Sequence, residues 1–139
     1  MRIGPHLCFD GQCRLAFSAY QKILGGSIVT MLAYGDSPMA PQIDPKWHTR
    51  IVHATLDLGG VELTGVDILP PNYQRPQGLF VTVTLDDPDE ARRIFTMLAD
   101  GCDTHLAFQR TFWSPGFGVL IDKFGIPREI NSAQERQAA

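Results

Sequence analysis

The feature that most constrains the fold is an internal repeat. The order strand, helix, strand, strand, strand is predicted twice, in copies of about 60 residues each. The first copy covers residues 1–67 and the second covers residues 78–131, with a proline-rich linker, ILPPNYQRPQ, at 68–77. The repeat predicts an α+β fold, with two βαβββ modules in one domain over residues 1–139.

Both predicted helices carry clear sequence signals. The second helix follows Asp87, which is suited to cap it, and Pro88, which suits the first helical position. Gly25 and Gly101 mark where the two helices should end. In the first helix, apolar residues recur every three or four positions, as in an amphipathic helix: Cys13, Ala16, Phe17, Tyr20, Ile23 and Leu24.

The segment around Gly59 and Gly60 predicts a β-hairpin with a two-residue turn. This turn places Thr55 opposite Thr64, and directly opposed residues share a face. The face predicted to pack on helices is apolar and carries Val52, Ala54, Leu56, Leu58, Val61 and Leu63. The other face is more polar and is either a ligand surface or a solvent-facing sheet: His53, Thr55, Asp57, Glu62, Thr64 and Val66.

Composition excludes several classes of partner. The net charge is -3 with no basic run, so a nucleic-acid partner is not expected. No window approaches the roughly 18 apolar residues of a membrane span, and no membrane partner is expected. The three cysteines form no CxxC pair, which favours free thiols in a reducing cytoplasm.

Residues 35–50 form a long connection with three prolines and no periodicity. Connections of this length are uncommon and often functional. The segment is either a lid or a surface excursion between strands.

Tandem βαβββ modules of this length resemble the vicinal oxygen chelate superfamily, which includes glyoxalase I, extradiol dioxygenases and bleomycin-resistance proteins. Strings within residues 3–131 narrow the resemblance to its PhnB-like branch: LCFDGQCRLAF, YGDSP, HATLDLGGVELTG and TFWSPGFGVLIDKFGIP. The resemblance implies two curved sheets that enclose a glyoxalase-like cavity for a small molecule. It also implies a homodimer.

Members of that superfamily often hold a divalent metal with four side chains, from the first and fourth strands of each module. By spacing, the matching positions are Gly4, Thr64, Phe80 and Glu129, of which only Glu129 is a good ligand. The resemblance therefore implies an incomplete metal site and no firm cofactor. An alternative divalent metal site consists of His6, His53 and Glu129, if these three side chains converge.

On the same mapping, Glu129 points into the cavity and Arg128 points outward. A buried carboxylate needs a partner or a proton, so Glu129 and His53 are the candidate catalytic residues. The alternative is a solvated Glu129 at a sheet edge. The candidate ligand-binding residues are His6, Cys8, Thr64, Phe80, Trp113 and Phe117.

Three functions follow from the resemblance, and they leave open whether the protein is an enzyme. The first is small-molecule binding without the usual metal site. The second is a metal-dependent lyase, isomerase or dioxygenase. The third is demethylubiquinone methyltransferase activity, after the name that relatives in this branch often carry. S-adenosylmethionine usually needs a Gly-rich loop after a strand, and the sequence shows none.

Overall fold

The computed structural model describes residues 1–133. The chain divides into two compact units, Met1–Arg75 and Pro76–Ala139, and the division falls inside the predicted linker. The linker contains a cis peptide bond between Pro70 and Pro71. That the two units together form a single domain stays a prediction.

Each unit repeats the predicted order of elements. The first contains β1 (His6–Phe9), α1 (Cys13–Leu24), β2 (Ser27–Ala33), β3 (Ile51–Asp57) and β4 (Glu62–Asp67). The second contains β5 (Val81–Leu85), α2 (Pro88–Ala99), β6 (Asp103–Gln109), β7 (Phe117–Ile121) and β8 (Pro127–Ser132). The sheet orders are β1-β4-β3-β2 and β5-β8-β7-β6. In both, the first strand runs parallel to the fourth and the other pairs are antiparallel. The α+β prediction is confirmed.

In each unit the helix covers one face of the sheet and leaves the other face uncovered by that helix. A Cβ added to Gly65 in β4 would lie 2.5 Å from the Phe17 ring of α1. One added to Gly118 in β7 would lie 2.5 Å from the Phe95 ring of α2. Glycine at these two positions therefore lets each helix approach its sheet closely.

Because side chains alternate along a strand, the neighbours of these glycines belong to the faces opposite the helices. The strand registers extend both faces across the sheets. We call the face of the first unit the first open face; its residues are His6, Cys8, His53, Thr55, Thr64 and Val66. We call the face of the second unit the second open face; its residues are Thr82, Thr84, Phe117, Val119, Glu129 and Asn131.

The predicted helix signals are largely confirmed. Asp87 caps α2, since its side chain accepts a hydrogen bond of 3.0 Å from the Asp89 amide. The buried residues of α1 are Cys13, Ala16, Phe17 and Tyr20, whereas Ile23 and Leu24 are only half-buried at its end. Neither helix, nor any other within residues 1–133, is long and apolar enough to cross a lipid bilayer.

The predicted hairpin register is confirmed, because Thr55 pairs with Thr64 and Asp57 pairs with Glu62. On the face towards α1, Ala54, Leu56 and Leu63 are buried as predicted. The prediction that Val61 packs against the helix is wrong. It lies in the turn before β4 and is 55% exposed, because the sheet has not yet begun there.

The long connection at 35–50 is built around short 3-10 turns at Tyr34–Asp36, Ala40–Gln42 and Pro45–Trp47. The His48 Nε2 atom lies 3.1 Å from the Ala40 carbonyl oxygen and 2.9 Å from that of Ile43. Both partners are acceptors, so Nε2 carries the proton and donates to them. His48 therefore holds the loop together. That the connection at 35–50 acts as a lid stays a prediction.

Candidate functional site

The first open face brings three predicted site residues together across three strands. His6 in β1 stands directly opposite Thr64 in β4, and its Nδ1 lies 2.7 Å from the Thr64 Oγ1. The His53 ring in β3 lies 6.4 Å from the His6 ring, centroid to centroid, at an interplanar angle of 24°. The Nε2 of His53 lies 3.3 Å from the Thr55 Oγ1. The result is a row of two imidazoles and two hydroxyls.

Each imidazole in this row keeps one ring nitrogen for a ligand. Thr64 has a single hydroxyl proton, for which the Pro5 carbonyl oxygen at 3.4 Å and the His6 Nδ1 compete. The Nε2 of His6 and the Nδ1 of His53 make no hydrogen bond within residues 1–133. Both histidines are exposed residues.

His6 is biased towards its neutral form. Although His6 is exposed, partial loss of water around its ring, followed by the positive charge of protonated His53, lowers the pKa of His6 below its ordinary value of 6.5. A neutral imidazole both accepts and donates hydrogen bonds, and it can take up a proton. The cluster is therefore suited to a hydrogen-bonding ligand and to proton transfer.

A groove of about 610 Å³ adjoins this cluster through Thr64. Its remaining lining residues are 1–5, Asp57 and 60–62. Arg2 and Glu62 form an exposed ion pair there, with 3.9 Å between nitrogen and oxygen. The volume is within the usual range of about 300–1,000 Å³ for small-molecule sites.

Cys8 lies on the same face, in register with Val66, and is half-buried. The Cys8 thiol makes no hydrogen bond with a histidine among residues 1–133. A nucleophilic cysteine needs a base of this kind. Cys8 therefore lies on the first open face but lacks the histidine contact that would activate its thiol.

The second open face carries Glu129, whose Oε2 accepts a hydrogen bond of 3.3 Å from the Thr82 hydroxyl. Phe117 lies on this face, directly opposite Asn131. The Trp113 ring packs edge-on against Phe117, at 5.2 Å between ring centroids. These residues lie in the unit that begins at Pro76, whereas His6 and His53 lie in the other unit.

The predicted first-strand positions require a correction. Gly4 and Phe80 precede β1 and β5, and Phe80 is 50% exposed. The residues in register with Thr64 and Glu129 are His6 and Thr82, each two positions further along the chain. Where each strand starts is decided by pairing with a strand more than 45 residues away, which spacing along the sequence does not reveal.

With this correction the four positions read His6, Thr64, Thr82 and Glu129. Two of them, not one, carry side chains that ligate metals well. No group of three or more His, Cys, Asp or Glu side chains within residues 1–133 is arranged to hold a metal ion. The first open face supplies two imidazoles, one fewer than the three protein ligands typical of a catalytic zinc site. Glu129 as a third ligand stays a prediction.

The expectation that Arg128 points outward is wrong. Arg128 is fully buried, and its Nε lies 3.3 Å from the Asp122 Oδ2, also buried. In a sheet covered by a helix, the residue opposite the open face points into the core, because strand neighbours face opposite ways. Glu129 is therefore on the open face and half-buried, while Arg128 lies on the side of α2.

Four polar residues at these faces are not among the predicted site residues: Thr55, Thr82, Thr84 and Asn131. The alternation VTVTL at 81–85 predicts a strand with threonines on one face, which is a usable signal for Thr82. Asn131 takes its place from the register with Phe117, a pairing across the final turn. The hairpin turn predicts the correct face for Thr55, but its contact with His53 depends on side-chain rotamers.

Two full-length relatives show strong similarity to this chain. Protein PA1353 from Pseudomonas aeruginosa has a solved structure that matches with a TM-score of 0.86, at 36% identity, over 97% of this chain and 99% of that one. Protein YjdN of Escherichia coli strain K12 is 29% identical over 144 residues, covering 98% of both chains. No protein-family model matches the chain.

Two more distant structures share the fold. A PhnB protein from Bacillus cereus matches with a TM-score of 0.81 at 24% identity, over 96% of this chain and all of that one. A glyoxalase/bleomycin resistance protein/dioxygenase from Nocardioides matches with a TM-score of 0.57 at 17% identity, over 100% of this chain and 91% of that one. The predicted glyoxalase-like fold is confirmed.

Proposed function

The chain belongs to the same family as protein PA1353 and has the fold of the glyoxalase/bleomycin resistance/dioxygenase superfamily, and from this premise we propose that it is a PhnB-like protein that binds a small molecule on its first open face. The observation that carries the proposal is the contact row of His6, Thr64 and His53. The shared fold of the Bacillus cereus PhnB protein supports placing the chain in that branch.

The cluster favours a ligand that carries oxygen atoms able to accept and donate hydrogen bonds. Two imidazole nitrogens are left for it, and the adjoining groove of about 610 Å³ has room for the rest of a small organic molecule. Such binding does not require a complete set of metal ligands at the four superfamily positions.

Thermal-shift screening tests this proposal, with phosphonates and oxygen-bearing aromatic compounds as probes. A compound that binds the folded protein raises its melting temperature. We expect the rise to be lost in His6→Ala and kept in His105→Ala, a matched control in which an exposed histidine of β6 is removed. Equal shifts in both variants would show that the compound binds elsewhere.

A metal-dependent lyase, isomerase or dioxygenase that uses His6, His53 and Glu129 is the second candidate. It is favoured by the register, which puts His6 and Glu129 at two of the four superfamily positions. Metal analysis of protein purified without a histidine tag tests it. A stoichiometric divalent ion that disappears in Glu129→Ala supports this activity, and protein without the ion after metal-replete growth rules it out.

The Bacillus cereus PhnB protein is also named as a candidate 3-demethylubiquinone-9 3-methyltransferase. We do not propose that activity for this chain, because within residues 1–133 no Gly-rich loop follows a strand in the way that S-adenosylmethionine usually needs. Calorimetric titration should give no binding of S-adenosylmethionine, and micromolar binding would restore the activity as a candidate. We further propose a cytoplasmic homodimer, which analytical ultracentrifugation and cell fractionation can test.

A further inference from the structure

We infer that the second open face binds an organic ammonium group, with Trp113 and Phe117 as its aromatic wall and Glu129 as its counter-ion. This site lies entirely in the second unit and does not rest on the ligand proposed for the first open face.

The aromatic wall has accessible rings. Trp113 is 41% exposed and stands between two other rings, with centroid distances of 5.2 Å to Phe117 and 4.6 Å to Phe112. Both contacts are edge-on, at 70° and 79°, so neither partner is stacked flat on the Trp113 ring. A cation within about 6 Å of such a ring is attracted by its electron-rich face, and Trp is the strongest of the aromatic side chains in this role.

Glu129 supplies the charge. It pairs with Val119, which is two residues from Phe117 on the same face, so Glu129 and Phe117 are diagonal neighbours. Diagonal neighbours in a sheet are about 7–8 Å apart, within reach of aromatic and long side chains. An ammonium group between them can contact the ring and the carboxylate together.

The polar atoms of this face select a cation over an anion. Among residues 1–133, Glu129 forms no ion pair with Lys or Arg, and its described hydrogen bond comes from Thr82 to one carboxylate oxygen. Arg128 points to the other side of the sheet and pairs with Asp122. The face therefore presents an aromatic wall and a carboxylate whose charge no Lys or Arg within residues 1–133 neutralises, which suits an organic ammonium group.

Choline is the probe for this inference, compared with its neutral carbon analogue, in which carbon replaces the ammonium nitrogen. Proton–nitrogen correlation spectra resolve the indole N–H signals of Trp113 and Trp47, and Trp113→Phe assigns them. We expect choline to shift the Trp113 signal in a saturable way and to leave the Trp47 signal in place. We expect the neutral analogue to bind at least about tenfold more weakly, since it has the shape without the charge.

Two variants separate charge from structure. Glu129→Gln should weaken choline binding about tenfold. Asp89→Asn makes the same charge change at an exposed position of α2, on the helix side of the sheet, and should leave choline binding unchanged. The spectra also report whether each variant is folded, and His6→Ala should bind choline normally. No saturable shift at Trp113, equal binding of the neutral analogue, or full affinity in folded Glu129→Gln would each overturn the inference.

Discussion

At the scale of single residues, Arg128 and Glu129 show how one step along a strand separates two roles. Arg128 can be buried in the core because it forms an ion pair with Asp122 there. The Asp122 Oδ1 also accepts hydrogen bonds from the backbone amides of Phe124 and Ile126. The same carboxylate therefore shapes the turn before β8 and neutralises the buried guanidinium. The sequence predicted that the two charges point opposite ways, but not that the core would take the arginine, because the partner lies across a turn.

Removing the Asp122 charge should be costly. Asp122→Asn leaves the Arg128 charge buried without its counter-ion, and breaking a buried pair in this way typically costs about 3–5 kcal/mol. Urea denaturation should show this loss in the free energy of unfolding. Glu90→Gln, which breaks the exposed Glu90–Arg93 pair on α2, is the matched control and should change stability little. A similar, small effect of both variants would contradict the role given to Asp122.

His6 should make stability depend on pH. Its pKa in the folded chain lies below 6.5, so the unfolded chain binds a proton there more readily. As pH falls through 6.5 towards the lowered pKa, the wild type should therefore lose stability relative to His6→Gln, and above 6.5 the difference between them should be constant. Urea denaturation at a series of pH values measures this, and parallel pH profiles of the two proteins would contradict it.

At the scale of elements, the two helices differ in how far the sequence predicts their ends. The cap of α2 comes from Asp87, one residue before the helix, so local rules find it. The first turn of α1 has no such cap. Instead its Cys13 amide donates to the Asp67 Oδ1 at the end of β4, 54 residues away, while the Ile51 amide donates to Oδ2. Only the folded sheet brings Asp67 to that helix, so the sequence could not show it.

The α2 cap should be measurable by itself. Asp87→Ala removes the acceptor for the Asp89 amide and should lower the free energy of unfolding by about 1 kcal/mol. Asp87→Asn keeps a capping oxygen and should retain most of that stability. Thermal or urea denaturation of the three proteins gives the comparison. Equal losses in both variants would indicate that the charge of Asp87, and not its cap, stabilises the helix.

At the scale of the whole molecule, the repeat is what the sequence predicts best. The order of helices and strands along the chain and the β3–β4 register follow from periodicity and turn residues, which are local. Strand parity also placed His6, Cys8, His53 and Thr64 on one face. What failed depends on pairing between distant strands, as with Gly4 and Phe80, whose strands start later than spacing suggests.

The three free cysteines give a test of both units at once. Cys13 is fully buried, and burial, followed by the negative charge of Asp67, raises the pKa of its thiol to about 12, so it should not react with a thiol reagent at neutral pH. Cys8 and Cys102 are half-buried and should react in the native protein, with Cys102 slowed because burial raises its pKa. Mass spectrometry should therefore find Cys13 labelled only after unfolding.

The Cys8 label also reports on the first open face, since Cys8 shares that face with His6. A small molecule bound at His6 and His53 should slow the labelling of Cys8 and leave that of Cys102 unchanged, because Cys102 lies in the other unit. Cys102→Ser provides protein in which Cys8 is the only thiol expected to react before unfolding. Rapid native labelling of Cys13, or equal protection of Cys8 and Cys102 by the ligand, would contradict this assignment of the three thiols and of the face on which the ligand binds.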